Sequence, residues 1–148
     1  MSDGAAGVLL VPGGAHRGTA PGLAARAHAV VGCDPALPGI GAAPAITAAL
    51  DRAGLGRADV AAFEIVEAFA AQTLAVLDRL GIGEDDERVC ADGGALALGH
   101  PWGASGAVAV VRLFSRLVRG GAAAGGISVA AASVGGGLGV AAVFEVVR

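Results

Sequence analysis

Residues 92–106 read DGGALALGHPWGASG and form the densest group of unusual residues in the chain. In this stretch His100 lies between Gly99 and Pro101. Because proline disfavours helical backbone at the residue before it, His100 is predicted to be extended and held in a loop. Ser105 follows at a position where its hydroxyl can cap the next helix. A histidine in this setting acts as an acid, a base or an oxyanion donor, and the alternative is a hydrogen-bonded core histidine.

The segments around this stretch predict an α/β fold that forms one domain over residues 1–148. Strands are predicted at 5–11, 27–32, 61–66, 126–133 and 138–147. Pairing is expected to be parallel around strand 61–66, and the last two strands are expected to form an antiparallel pair.

Three helices are predicted from apolar residues at helical spacing. The first begins near Pro44, places Ile46 and Leu50 on one face, and ends at Gly54, which suits a C-terminal cap. The others run from Glu67 to Leu80, with Phe69, Thr73, Val76 and Leu80 on one face, and from Ser105 to Arg119, with a polar stripe of Arg112, Arg116 and Arg119.

Composition excludes several classes of protein. A hydrophobic fraction of 55% excludes a disordered chain, and a formal net charge of −3 lacks the basic face of a nucleic-acid binder. No apolar run approaches the roughly 20 residues of a membrane-spanning helix. The run from Ala5 to Val11 is short and lacks a charged leader, so no signal peptide is expected. Two cysteines cannot build a disulfide framework, which favours a reducing cytoplasm.

The apolar residues are mostly small. Alanine and glycine dominate them, and each buries little area, so a lone domain of this composition is expected to be marginally stable. This favours a large surface that another chain covers. Lysine is absent, which excludes Schiff-base chemistry and a phosphate-loop lysine.

Residues 133–139 read SVGGGLG and permit two interpretations. A phosphate-binding loop would be followed by a helix, whereas a strand is predicted here, so a glycine hairpin is favoured. The glycines would still let Ser133 approach a ligand closely. His16 and His28 have no comparable setting and are predicted in a loop and a strand.

Two carboxylates and two thiols are weaker candidates. Glu64 and Glu67 flank the end of a predicted strand, and Glu67 is expected to begin the next helix, where its charge suits the helix dipole; a catalytic carboxylate is the alternative. Cys33 and Cys90 lack the spacing of metal ligands, so no metal site is predicted. Both are expected to be buried structural thiols, with a reactive nucleophile as the alternative.

Taken together, the chain resembles the C-terminal half of a thiolase along nearly its whole length. The matching segments, in order, are SDGAA at 2–6, PALPGIGAAPAI at 35–46, FEIVEAFAAQ at 63–72, GGALALGHPWGASG at 93–106 and SVGGGLGVAAVFE at 133–145. The resemblance implies a mixed sheet with helices on both faces. It also implies a five-layer α-β-α-β-α fold that a partner chain completes, with the Ser105 helix in the middle layer.

The resemblance assigns roles to three positions. His100 stands where the family's histidine assists the nucleophilic cysteine and the oxyanion site of the acyl-enzyme step. Ser133 replaces the acid/base cysteine that deprotonates the substrate's α-carbon, and a serine is no resting anion near neutral pH. Val66 replaces an asparagine whose amide holds a water of the oxyanion hole, and losing one such donor costs about 3 kcal/mol of transition-state stabilisation.

Other positions follow from the same motifs. Gly99, Gly135 and Gly136 correspond to glycines of the active-site loops. Cys90 and Asp92 replace asparagines of the family's N-x-N-G-G stretch, which makes Cys90 a candidate secondary thiol.

The family's nucleophilic cysteine has no counterpart here, and Met1 lies almost at the boundary between the family's two halves. We therefore expect a subunit of a heteromeric thiolase-like acyltransferase, whose N-terminal half, with the cysteine, is a separate polypeptide in a heterodimer or heterotetramer. The expected substrate is a thioester of coenzyme A or a carrier protein, and no permanently bound cofactor is expected. Decarboxylative condensation, acyl transfer to a hydroxyl or amine, and thioester hydrolysis avoid the missing carbon base.

Two alternatives remain. The chain is a non-catalytic partner that stabilises or regulates a thiolase-like protein, or it is a subunit of a thiolase-like aldolase. The aldolase ranks lower because FEIVEAFAAQ resembles degradative and biosynthetic thiolases more than the lipid-transfer branch of the family.

Overall fold

A four-stranded mixed sheet forms the centre of the molecule, with strand order β1-β4-β3-β2. The computed structural model describes residues 1–15 and 20–148, so the prediction for His16 lies outside the described residues. The strands are β1 (Gly22–Gly32), β2 (Val60–Ile65), β3 (Ile127–Val134) and β4 (Leu138–Val147). The helices are α1 (Ala42–Ala53), α2 (Ala70–Leu80), α3 (Ala95–Leu98) and α4 (Ser105–Leu113).

The strand pairing agrees with the sequence prediction. Strand β2 pairs with β3 in parallel, and β3 pairs with β4 antiparallel, with Val134 opposite Leu138 beside the turn. The glycine run at 135–137 is therefore a hairpin turn. Strand β1 pairs antiparallel with β4 and begins five residues before the predicted 27–32. The outer edge of β2 is bonded to the segment that contains Arg88. There the amide of Phe63 in β2 donates to the carbonyl of Arg88.

Helices α1 and α2 cover one face of the sheet. Ile46 and Leu50 of α1 and Val76 and Leu80 of α2 are buried around Phe63, as the helical spacing predicted. Fully burying side chains of this size contributes about 1.5–3 kcal/mol each. Helix α1 ends at Gly54, whose φ of 70° is the left-handed conformation of a C-terminal cap.

Helix α4 covers the opposite face, where the side chains are smaller. Ala109 and Leu113 of α4, with Leu117 after it, pack on Ala62 of β2 and Ala130 of β3. Helices thus lie on both faces of a mixed sheet, and this part of the predicted architecture is confirmed.

The prediction of a strand at 5–11 is wrong. These residues have no regular structure, and Leu9 and Leu10 are almost fully exposed. A strand must pair its backbone groups with a neighbour, and no strand of the described ranges lies beside this segment. The apolar run 5–11 alone could not reveal the lack of a neighbouring strand.

The helix boundaries also differ from the predictions. Helix α2 begins at Ala70 rather than at Glu67, and Phe69 before it is exposed instead of buried. The predicted helix from Ser105 to Arg119 is α-helical to Leu113 and π-helical from Phe114 to Arg119. The short helix α3 was not predicted. No described helix is both long enough and apolar enough to cross a membrane.

Candidate functional site

The predicted site residues come from segments that follow the sheet's parallel strands. Val66 comes directly after β2, and Ser133 lies near the end of β3. Because β2 and β3 are parallel neighbours, these two ends lie at the same edge of the sheet. The backbone amide of Val66 donates to the carbonyl of Ala131, at 2.8 Å. This edge is where ligands bind in open α/β sheets.

His100 lies in the loop between α3 and the turn that precedes α4, as predicted. Its Nδ1 is 2.7 Å from the hydroxyl oxygen of Ser105, a hydrogen bond that orients the imidazole ring. The prediction that Ser105 caps the next helix is wrong. Helix α4 has no side-chain cap, because the Ser105 hydroxyl is directed at the histidine and a 3₁₀ turn at Trp102–Ala104 leads into the helix.

Trp102 lies beside this histidine. The indole and imidazole rings stack with their centroids 6.3 Å apart and their planes 22° from parallel. The backbone of Trp102 has a φ of 35°, which is uncommon for a bulky residue, and its side chain is 67% exposed. The loop therefore holds one face of the histidine against an aromatic ring that solvent reaches.

Gly99 meets the conformational needs of this loop. Its φ is 109°, a value that side chains rarely adopt, and a Cβ there would lie 2.5 Å from the hydroxyl oxygen of Ser2. The φ value favours glycine at this position, and any other residue would also displace the Ser2 side chain. The N-terminal segment thus packs directly on the histidine loop.

Ser133 links two parts of the backbone. Its hydroxyl donates to the carbonyl of Gly39 at 2.5 Å and accepts from the amide of Ala42 at 2.9 Å. A serine has a single hydroxyl proton, which here is directed at Gly39. The side chain therefore fastens the end of β3 to the turn that precedes α1. Gly135 and Gly136 lie beyond it in the exposed hairpin turn.

Val66 is buried and lines a narrow cavity between α4 and β2. The cavity has a volume of about 40 Å³, and Gly99 and Ser105 line it as well. The structure therefore brings Val66, Gly99 and the support of His100 together. Ser133, Gly135 and Gly136 do not line this cavity. The valine methyl groups can neither donate nor accept a hydrogen bond at this point.

An ion pair lies in the same cavity wall. Nε of Arg112 donates to Oε2 of Glu64 at 3.1 Å, and the two side chains are only 19% and 4% exposed. Burial raises the pKa of Glu64, and the Arg112 guanidinium opposes that rise. Arg112 was predicted in a polar stripe with Arg116 and Arg119, but the helix faces it towards the buried carboxylate.

Glu67 and the thiols have structural surroundings. Oε2 of Glu67 accepts from the amide of Leu96, so this carboxylate supports α3 and does not begin α2. The Cys90 thiol is buried and donates to the carbonyl of Ile65, and burial with the nearby Glu64 charge raises its pKa to about 12. Cys33 is half-buried, contrary to the prediction that both thiols are buried.

Comparison with known proteins identifies the fold. The family model for the C-terminal domain of thiolases matches residues 20–146. The chain belongs to the thiolase family. The resemblance seen in the sequence motifs is confirmed, and the α/β architecture is that of a thiolase C-terminal domain.

Relatives of this thiolase domain are much longer than the chain. It is 47% identical to a 3-ketoacyl-CoA thiolase of Erwinia tasmaniensis and 45% identical to one of Klebsiella pneumoniae, in each case over 98% of the chain but 38% of the relative. The acetyl-CoA acetyltransferase of Bacillus anthracis matches 84% of the chain and 30% of its own length, at 40% identity and a TM-score of 0.77. Human mitochondrial 3-ketoacyl-CoA thiolase in complex with CoA matches with the same values.

Three contacts at the site of this thiolase domain escaped the sequence analysis. They are the Ser105 bond to His100, the Trp102 stack and the Glu64–Arg112 pair. The spacing of five residues between His100 and Ser105 gave a weak signal, because it also suits a helix cap. Glu64 lies on β2 and Arg112 lies on α4, 48 residues later, so no local sequence pattern joins them. No cluster of three or more metal-ligating side chains occurs in residues 1–15 and 20–148.

Proposed function

We propose that this chain supplies the C-terminal half of a thiolase-type acyltransferase site, and that a separate polypeptide supplies the N-terminal half with the nucleophilic cysteine. The observation that carries the proposal is the placement of His100. The histidine of the family's G-H-P motif is held by Ser105 and Trp102 in a loop at the edge of the sheet where β2 ends. This is the position from which an imidazole can serve a cysteine brought by another chain.

Exposed apolar side chains around that loop support a covering partner. Leu98 is 65% exposed and Trp102 is 67% exposed, and Leu96 in the same stretch is also exposed. Soluble monomers rarely leave such side chains together at the surface. Leu9 and Leu10 in the N-terminal segment are almost fully exposed as well. A polypeptide that packs here would remove them from water and complete the five-layer fold.

The proposed chemistry is acyl transfer from a thioester without deprotonation of an α-carbon by a thiolate. His100 supports formation of the acyl-enzyme on the partner's cysteine. Ser133 cannot replace a thiolate as carbon base, and its hydroxyl proton is directed at the Gly39 carbonyl. The Val66 side chain has no amide to offer an oxyanion hole. The favoured reactions are those that need no thiolate at position 133 as a carbon base. They are decarboxylative condensation, acyl transfer to a hydroxyl or amine, and thioester hydrolysis.

The proposed substrate is an acyl thioester of coenzyme A or of a carrier protein. One solved relative is a complex with CoA, which supports coenzyme A as the carrier. No metal and no permanently bound cofactor have a role in this scheme. The assembly is proposed to be a heterodimer or a heterotetramer.

A second candidate is a non-catalytic partner that stabilises or regulates a thiolase-like protein. The hydrogen bonds of Ser133 favour this candidate. Its hydroxyl donates to the carbonyl of Gly39 and accepts from the amide of Ala42, so both bonds support the backbone. Val66 favours it equally. In this candidate the chain covers a partner's apolar surface, and His100 contributes only to the shape of the loop.

The decisive experiment is tagged purification of the chain from its native host, followed by mass spectrometry of what co-elutes. A stoichiometric second polypeptide with a thiolase nucleophile motif supports the proposal. The complex is then loaded with radiolabelled acyl-CoA, and covalent label on the partner's cysteine supports the enzyme over the non-catalytic partner. Detection of the tagged residues within one longer polypeptide, or elution of the chain alone and folded, overturns the two-chain proposal.

A further inference from the structure

In its first turns α4 contacts the sheet through alanine, and the buried side chains further along it are larger. Ala109 packs on Ala62 and Ala130, with Leu113 and Leu117 further along the helix. Interlocking side chains normally set how far one element is displaced along another. Because alanines interlock little, the Ala109 contact does little to fix the position of the first turns of α4 along the sheet.

Arg116, in the π-helical turns after α4, donates to the carbonyls of Glu87 and Arg88 in the chain beside β2. Within α4 itself, one hydrogen bond reaches the sheet among the residues that the structure describes. It is the bond from Nε of Arg112 on α4 to Oε2 of Glu64 on β2. In the part of the chain that the structure describes, Oε1 of Glu64 and Nη2 of Arg112 are buried without a hydrogen-bond partner. A buried ion pair with unsatisfied atoms commonly adds no stability over apolar residues of similar size. Stability is therefore a poor explanation for this pair, whereas a fixed register is a good one.

The ion pair and the support of the histidine lie on one side of α4. Ser105, Ala109 and Arg112 follow at the spacing that places residues on one helix face. Glu64, Ser105 and Arg112 all line the cavity between α4 and β2. Over seven residues an α-helix extends about 10 Å and behaves as a rigid rod. Any shift of Arg112 along the sheet is therefore transmitted to Ser105, which holds His100.

We propose that Glu64 and Arg112 are positioning residues for His100. Their bond fixes the register of α4 on β2, and that register places the Ser105 hydroxyl against Nδ1 of the imidazole. The catalytic importance of this device rests on the proposed function, in which His100 serves the acyl-enzyme step. The orientation of the imidazole ring by this ion pair does not depend on the proposed function.

The test uses nitrogen NMR of the full chain, with isotope-labelled histidine, in whatever complex it is isolated. His100→Asn assigns the His100 signals, and Ser105→Ala shows the spectrum of a ring without its support. We expect the native ring in one tautomer. Replacing the pair by apolar residues of similar size, Glu64→Leu with Arg112→Met, is expected to keep the fold and to shift the His100 signals towards those of Ser105→Ala.

A matched control removes an exposed ion pair elsewhere. Arg26 on β1 and Glu145 on β4 are 3.2 Å apart, and the Arg26 side chain is 58% exposed. Arg26→Met with Glu145→Leu is expected to leave the His100 signals unchanged. A folded Glu64→Leu, Arg112→Met protein with the native His100 spectrum would overturn the proposal. If that variant does not fold, Arg112→Lys keeps the charge but loses the planar Nε–H donor, and a native spectrum there overturns it as well.

Turnover separates this proposal from the proposed function. In the assembled enzyme, loss of the pair is expected to lower kcat on the acyl thioester by up to about tenfold, the effect of losing the Ser105 bond itself, with KM nearly unchanged, because general acid–base catalysis depends on ring placement. A changed His100 spectrum with native turnover leaves the positioning device standing and refutes the role of His100. An unchanged spectrum refutes the device whatever the turnover.

Discussion

Nδ1 of His100 lies 2.7 Å from the hydroxyl oxygen of Ser105, the first residue of α4. The helix thereby holds the ring of the preceding loop directly, by a side chain from its own first turn. Orientation of the imidazole depends on where α4 is placed on the sheet.

Removal of this bond tests its contribution. Ser105→Ala is expected to lower turnover of the assembled enzyme about five- to tenfold, since a net hydrogen bond is worth about 1 kcal/mol. Ser115→Ala, at an exposed position after α4, is the matched control and is expected to keep native turnover. Steady-state kinetics with an acyl thioester measures both. Native turnover in Ser105→Ala would show that the ring needs no support from the helix.

His100 itself is tested by acyl loading. His100→Ala is expected to slow labelling of the partner's cysteine by about a hundredfold or more, the usual range for a general acid–base group. His28→Ala, on the exposed surface of β1, is expected to change nothing. Rapid-quench measurement of covalent label gives the rate. Equal rates in the two variants would favour the non-catalytic partner.

Ser133 is expected to be needed for stability. In Ser133→Ala the carbonyl of Gly39 loses a donor and the buried amide of Ala42 loses an acceptor. We expect the free energy of unfolding to fall by about 1–3 kcal/mol. Urea unfolding followed by circular dichroism, beside Ser115→Ala, measures the loss. Unchanged stability would indicate that the hydroxyl is free for another role.

The two thiols are expected to differ in reactivity. Burial and the Glu64 charge raise the pKa of Cys90 to about 12, so almost none of it is thiolate near neutral pH. The native protein is expected to take up iodoacetamide at Cys33 only, and at both thiols after denaturation. Intact-mass spectrometry of the native chain and of Cys33→Ser distinguishes the sites. Rapid native labelling of Cys90 would restore it as a candidate secondary thiol.

The loop between α2 and α3 contains an ion pair that predicts a pH effect on stability. The Arg88 guanidinium lowers the pKa of Asp86 from 3.8 to about 2 and also donates to the carbonyls of Arg57 and Val60. A lowered carboxyl pKa stabilises the fold above its ordinary value, and that contribution is lost as the pH falls towards 2. Because the pair is partly exposed, Asp86→Asn is expected to cost up to about 1 kcal/mol near pH 7.

Unfolding of Asp86→Asn is compared with that of Asp78→Asn, which changes an exposed carboxylate of α2. The difference in stability between Asp86→Asn and the native chain is expected to shrink steadily from about pH 4 towards pH 2. A difference independent of pH would mean that the Asp86 carboxylate is not held ionised by Arg88.

Local sequence determined much of this fold. The apolar spacing of α1 and the glycines at its end and in the β3–β4 hairpin act within a few residues, so α1, β3 and β4 could be predicted without a partner. The motifs around His100, Val66 and Ser133 likewise identified a thiolase C-terminal domain before any contact was known. Their chemistry follows from residue type, since valine has no side-chain amide and serine forms no thiolate.

Tertiary structure alone decided which distant groups meet. Residues 5–11 have the composition of a strand but no neighbour to pair with, and Ser133 finds its partners Gly39 and Ala42 about 90 residues away. Glu64 meets Arg112 only because α4 packs on β2. Burial, which sets the ionisation of Cys90 and Glu64, arises in the same way. The spacing of residues along the chain determines local conformation. These contacts between distant residues form only when the whole molecule packs, so they depend on the free energy of folding as a whole.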